Sequence, residues 1–451
     1  MAILPVELII EILCRLPVKP LKRFRCVAKL WCSIIDSQRF IKQHLHQSTT
    51  RNSNQNLILG GLGLYCVDLD LLDKAHAIKP PFYYKSVDSI SNSCNGLLLV
   101  MSEPPVVWNP FSRNHRILPE SAVDYPSEIH SYSKTTYGFG YDSRSDDYKV
   151  VRVVEFRNEI SHEWIGSETK VYSLKSNLWR RVEDFGYPLP FLKGKWRVHI
   201  NGALHTLVED SDYMYLSRSV RIMAFSVETE THYTVPLPPD MLIKDLDMRL
   251  DVIGGFLCVV CSNKSRVNIW MMKEYGVSES WTKFLSIGVP EIERNDIVRP
   301  LVYSEHDNRV LLNCDDKRLV WYDLRTKTIE NVAVRGLPFV FYAEVCVESL
   351  IALDGSNGID GIKKLGGQEK RKKKTRDIRS VKHLPPLVIF AFLSCLQELT
   401  CIIIIQATMV VIFWFLIASW YILIFLMVLI MKISIIHLKL QTGFVLFFFF
   451  F

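Results

Sequence analysis

The sequence predicts an α+β multidomain protein with a short helical N-terminus, an all-β body, a basic linker and a hydrophobic tail. Three observations carry this. Apolar residues recur every three to five positions in the first 35 residues, short strand-like runs replace them after Asn56, and charge almost vanishes beyond position 384. At 451 residues the chain exceeds the ~250–300 residues at which one hydrophobic core stops growing, so several structural units are expected.

The N-terminal periodicity is that of helices. Leu4, Leu8, Ile9, Ile12, Leu13 and Leu16 lay one stripe along a helix that opens at Pro5 and stops at Pro17. A second stretch, opened by Pro20, places Leu21, Phe24, Val27, Leu30, Trp31, Ile34 and Ile35 on one face and Lys22, Arg23, Arg25 and Lys29 on the others. Two or three short helices of this kind bury little by themselves, so part of their apolar surface awaits a partner.

Residues 4–35, LPVELIIEILCRLPVKPLKRFRCVAKLWCSII, closely resemble the F-box. The shared residues are Leu4-Pro5, Glu7, Ile12-Leu13, Leu16-Pro17, Arg25, Val27, Lys29 and Trp31. The resemblance implies a three-helix F-box over residues 1–45 that docks on the Skp-type adaptor of a cullin-based ubiquitin ligase, a helical stripe meeting a hydrophobic groove. It further implies that Leu4, Pro5, Ile12, Leu13, Leu16 and Pro17 contact the adaptor. Arg25, Val27, Lys29 and Trp31 would hold the helices together.

From about 50 to 348, runs such as LILGGLGLYCVDL, NGLLLVMS, YKVVRVVEF, IMAFSV, GFLCVVCS and RLVWYDL are rich in Val, Ile, Tyr, Trp and Phe and are broken by Gly, Asn, Asp, Ser and Pro. Strands end in turns at Asn109-Pro110, Lys175-Ser176-Asn177, Glu228-Thr229-Glu230, Lys273-Glu274 and Arg325-Thr326-Lys327. Intervals of roughly 45 to 65 residues suit the multi-stranded blades of a β-propeller, with a two-sheet sandwich as the competing architecture.

Seven phrases in this body resemble the F-box-associated domain, a kelch-like family: SCNGLLLV (93–100), VWNPFSRNHRILP (107–119), YGFGYDSRSDDYKVVRVV (137–154), VYSLKSNLWR (171–180), NGALHTL (201–207), VNIWMMKEYGVSESWTK (267–283) and RLVWYDLRTKTIENV (318–332). Within that family the likeness is to plant F-box proteins that restrain constitutive defence signalling. That implies target proteins among intracellular immune receptors with nucleotide-binding and leucine-rich-repeat regions.

Catalytic and metal motifs find little support. The Gly60–Gly63 run GGLG lacks a following Lys-Ser/Thr and reads as a turn. His162-Glu163-Trp164 has no second His at helical spacing, and no Gly-x-Ser-x-Gly elbow occurs. Cys258 and Cys261 are spaced like one half of a zinc site, yet in a strand they face opposite ways. His44 and His46, at a helix end, read as solvated. No catalytic residue, metal or cofactor is therefore expected. The eleven cysteines sit in mostly apolar settings and read as reduced, and no basic start precedes an apolar run in residues 1–13 as in an export signal. Trp108, Trp164, Trp179, Trp196, Trp270, Trp281 and Trp321 read as core or inter-blade wedges. The polar connections 120–132, 158–167, 184–196 and 209–219 are the better candidates for target contact, with no single side chain selected.

The formal net charge of +7 is concentrated in residues 370–382, eight Lys/Arg against Asp377, so the remainder is neutral and a basic nucleic-acid-binding face is disfavoured. Residues 355–384 read as a basic linker: a solvated tail, an import signal or an anchor beside anionic lipid. In the hydrophobic tail, 385–451, only Glu398, Lys432 and Lys439 are charged. It holds either a membrane helix at about 400–431, which would anchor the protein by its tail facing the cytosol, or a translated read-through or mis-spliced end. The function expected is substrate recognition, without catalysis, in a Skp–cullin–F-box ubiquitin ligase of cytoplasm and nucleus. The alternatives are a membrane-anchored propeller and a kelch-type carbohydrate-active protein.

Overall fold

The computed structural model describes residues 5–353 except 62, 84–89, 125–130, 161–162, 189–195, 197, 211–218, 240, 242–246, 264 and 289–296. Leu4, the basic linker and the tail with its candidate membrane helix lie outside the described residues. Among the described residues no helix is long and apolar enough to cross a membrane.

Four helices open the chain, one more than the family resemblance implied: α1 (Val6–Cys14), α2 (Val18–Phe24), α3 (Lys29–Ile35) and α4 (Gln38–Thr50). Pro5 and Pro17 stand at the N-caps of α1 and α2. Ser37 caps α4, its Oγ accepting the Phe40 N–H at 3.2 Å, and α4 runs past position 45 to join the β body. His44 corrects the solvated reading. It is fully buried, and its Nε2 donates to the Leu16 carbonyl at 2.8 Å, tying α4 to the end of α1.

The body is a propeller of six four-stranded antiparallel sheets, which decides against the sandwich. Five blades are continuous in sequence, with inner strands Ile90–Cys94, Ser131–Asp142, Val198–Ile200, Asp247–Ile253 and Val298–Ser304. The first blade is composite. Its inner strand Tyr342–Val347 comes from the far end of the chain and pairs with Gln55–Gly60, from Gln55↔Val347 to Gly60↔Tyr342. Leu64–Asp68 and His76–Ile78 complete that blade.

The reason for a ring lies in strand burial. Successive side chains of a strand face opposite ways, so a blade covered on both faces alternates its contributions to two neighbours. Cys258 and Cys261, both in Phe256–Asn263, demonstrate this: the first packs with blade six, the second with blade four. Six such inter-blade cores occur, one between each pair of adjacent blades. Trp108, Trp196 and Trp281 are buried in them, as expected of wedges.

The repeated turns are the links between the third and fourth strands of successive blades. In four of them the backbone N–H of a left-handed residue returns to a carbonyl four positions earlier: Arg113 to Asn109, Asn177 to Ser173, Glu230 to Ser226 and Lys327 to Asp323. The leading side chain fastens the loop. Asn109 Oδ1 accepts the Phe111 and Ser112 N–H groups, and Asp323 Oδ1 accepts those of Arg325 and Thr326. Blade one has the same turn at Asp68–Leu72, where the sequence pattern was not recognised. Asn95-Gly96 and Asn201-Gly202 join first to second strands with positive φ at both residues, the backbone that two-residue hairpins need.

Asn109 also grips the end of the chain. Its Nδ2 donates to the carbonyls of Ser349 and Ile351, each at 3.0 Å, and to Ser349 Oγ at 3.2 Å. Asn109→Ala deletes this clamp and leaves buried carbonyls unpaired, so unfolding free energy should fall by ~3 kcal/mol, read from the denaturant midpoint.

A second prediction concerns acid. His205 is buried between the Val198 carbonyl at 3.3 Å and the Tyr275 hydroxyl at 2.6 Å, and burial pushes its pKa down to about 4. The unfolded chain binds that proton near 6.5, so the stabilisation is present above 6.5 and is lost as pH falls towards 4. The loss should approach ~3 kcal/mol, and His205→Gln should flatten the acid limb of a pH–stability curve.

Candidate functional site

The stripe expected on α1 separates into two faces. Ile9, Leu13 and Leu16 turn inward, spaced four and three apart, onto Cys14, Leu21, Ile35 and Phe40. Pro5, Leu8 and Ile12 turn outward, Ile12 with 54% of its surface exposed. Leu13 is therefore a correction. At 1% exposure it belongs to the helical module's own core and presents nothing to a partner. Pro17 is exposed and Leu16 half-buried.

The residues expected to hold the helices together also divide. Arg25 does so: its guanidinium meets the Asp36 carboxylate through Nε and Nη2, both at 2.7 Å, linking the ends of α2 and α3. Trp31 does so through an edge-to-face contact with Phe24, ring centroids 5.4 Å apart. Val27 does not, being 63% exposed in the α2–α3 turn, and Lys29 is exposed at the start of α3. Val27 and its exposed neighbour Leu30 thus join Leu8 as outward apolar residues that sequence reasoning missed. The Leu8–Ile12 spacing of four was the available signal on α1.

The helices rest on one face of the propeller. Lys22 Nζ donates to the Phe111 carbonyl at 3.2 Å, and Lys42 Nζ reaches Asp146 at 2.8 Å. Phe111 lies between the third and fourth strands of blade two, and Asp146 between the first and second strands of blade three. In a four-stranded antiparallel blade both such turns fall on one face, whereas second-to-third turns and links to the next blade fall on the other. The described strand ends that flank the polar connections 118–130, 159–163, 182–197 and 211–218 all lie on the latter side, the face opposite the helices. Exposed apolar residues missed in the sequence share that face, among them Tyr83, Ile160 in the blade-three hairpin turn, and Phe339 just before the closing strand, 86% exposed.

A cavity of 490 Å³ follows the inner strands, and Thr49 and Asn52 from the helical side help line it. Inside, Arg299 pairs with Asp251 at 2.8 Å and Glu344 at 3.0 Å, and its guanidinium lies over the Tyr342 ring, 4.6 Å from the centroid. Glu344 additionally accepts the Ser93 N–H and the Tyr342 hydroxyl. These partners join inner strands of blades one, two, five and six, so the cluster braces the ring. Among the described residues no group of three or more His, Cys, Asp or Glu could hold a metal ion. Cys94 stands 3.7 Å from His199 Nδ1, but burial raises the thiol to about 12 and lowers the imidazole to about 4, which opposes thiolate–imidazolium formation.

A helical module with an outward apolar face, seated on a closed six-bladed ring, defines a class of interaction protein. The sequence matches the F-box domain over residues 1–43 and the F-box associated beta propeller domain over 65–349, and the chain belongs to the F-box proteins that carry this propeller. It is 34% identical over 371 residues to F-box protein CPR1 of Arabidopsis thaliana, covering 78% of this chain and 89% of that one. It is 29% identical to F-box/kelch-repeat protein At3g23880 of the same plant, covering 70% and 89%. Among solved structures, an oligogalacturonate lyase in complex with manganese covers 63% of this chain and 75% of its own at 11% identity and a TM-score of 0.36, a likeness too weak to carry any argument.

The inward and outward faces of α1 are separable by mutation. Leu13→Ala should destabilise the F-box by ~2–4 kcal/mol, seen as faster amide exchange throughout the helices, whereas Ile12→Ala should change stability by less than ~0.5 kcal/mol.

Proposed function

We propose that this protein is the substrate-recognition subunit of a Skp–cullin–F-box ubiquitin ligase. The observation that carries the reading is the apolar face of Pro5, Leu8 and Ile12, with Val27 and Leu30, left exposed by a helical module whose own core is already filled. An isolated exposed leucine is ordinary, but this set falls within an F-box and suits the groove of a Skp-type adaptor. Pro17 and the half-buried Leu16 extend the same contact, whereas Leu13 supports it from beneath.

The propeller is the target-binding body. Its opposite face, which carries Phe339 and the strand ends flanking the long polar connections, leaves the F-box free for the adaptor. The ligase then works by positioning: a target held on the ring meets the ubiquitin-charged enzyme at high effective concentration, and the chain contributes no catalytic group. The likeness to plant F-box regulators of constitutive defence signalling extends the reading to intracellular immune receptors as targets. Cytoplasm and nucleus are the compartments in which such a ligase would operate.

A pull-down of the full chain with a Skp-type adaptor tests the reading. Wild type should bind, and the double change Leu8→Asp with Ile12→Asp should weaken binding by about a hundredfold without altering the propeller's circular dichroism. A folded wild type that binds no adaptor overturns the proposal.

A further inference from the structure

Residues 348–353 directly follow the strand that closes the ring, and they face two ways in alternation. Ser349 and Ile351 are held by Asn109 of blade two, and Leu353 packs between blades two and three. Glu348 and Leu350 point to the F-box. Leu350 packs against the helical core of Leu13, Cys14, Leu21, Ile35 and Phe40. The Glu348 Oε2 accepts the Val18 N–H at 2.6 Å, in the first turn of α2, where the N-cap Pro17 offers no side-chain acceptor. Its Oε1 accepts from Asn56 Nδ2 at 3.4 Å, and its own N–H donates to the Asn54 carbonyl at 2.8 Å.

One carboxylate thus joins α2, the first propeller strand and the end of the closing strand. Gly96 admits this segment closely, since a Cβ there would stand 2.4 Å from the Val347 carbonyl and 2.7 Å from Ser349. Two further polar ties to the ring, Lys22 to Phe111 and Lys42 to Asp146, rest on long lysine side chains and permit more play.

We propose that Glu348 is a positioning residue that locks the F-box to the closed ring. Resting on the ubiquitin-ligase reading, the lock fixes the direction in which a target on the propeller faces the adaptor-bound machinery. Glu348 lies outside the outward face of Pro5, Leu8 and Ile12, so its loss should separate two properties that a merely folded F-box keeps together. Adaptor affinity should stay, and the geometry of transfer should go.

The test uses the full chain as wild type, Glu348→Ala and Glu348→Gln, the last retaining an oxygen for the Val18 N–H. Amide exchange at the start of α2, measured without adaptor, should rise about tenfold in the alanine variant and return close to wild type in the glutamine variant. In a reconstituted ligase, adaptor affinity should stay within about twofold across the three proteins. Self-ubiquitination of propeller lysines, mapped by mass spectrometry, should spread to additional sites in Glu348→Ala alone. Unchanged exchange in Glu348→Ala overturns the lock. Altered exchange with an unchanged lysine pattern overturns its role in positioning. A wild type that binds no adaptor refutes the ligase reading, and the exchange experiment still decides the lock.

Discussion

Ring closure is the constraint on which the rest of this structure depends. A four-stranded blade exposes two apolar faces, and six blades cover them only if the last meets the first. The chain achieves this with six backbone-paired residues, Tyr342–Val347 beside Gln55–Gly60, drawn from positions nearly 300 apart. Arg299, Asp251 and Glu344 add a polar brace between inner strands from both sides of the seam. Arg299 is the cation shared by both carboxylates, so removing it leaves two acidic groups uncompensated in the ring.

Closure also decides how the F-box sits. The residues after the closing strand are shared between the two modules, so completion of the propeller and seating of the helices occur in one stretch of backbone. Asn109 and Gly96, from the phrases VWNP and SCNG, serve this stretch as much as their own blade. Residues that look like local turn formers thus have a second, long-range task. The turns repeat in five of the six blades because one hydrogen-bonded loop, with a left-handed residue four positions after its first, solves the same connection in each of them.

Buried polar groups follow a similar economy. Lys149 bridges Asp142 at 2.7 Å and Glu230 at 2.8 Å, and donates to the Val227 carbonyl, linking the rims of blades three and four. Burial lowers the pKa of both His44 and His205, the first stitching helices together and the second joining blades four and five. These contacts specify relative placement, a task for which directional bonds suit better than apolar packing.

The sequence by itself determined the elements and their kinds. Periodicity marked the helical stretches of α1 to α3, short runs rich in Val, Ile, Tyr, Trp and Phe marked the strands, and five of the six third-to-fourth-strand turns were legible from short polar clusters, because those properties are local. Tertiary structure decided which side of each element matters. Leu13 and Ile12 are neighbours in one apolar stripe, and only the packing of α2, α3 and α4 against α1 sends one inward and leaves the other outside. Likewise His44 reads as solvated in the sequence, and only the meeting of α4 with the end of α1 buries it. Glu348 carried no signal at all, since its partners Val18 and Asn56 become neighbours only when the ring closes. Local preference is written along the chain, whereas exposure and long-range pairing depend on residues hundreds of positions away.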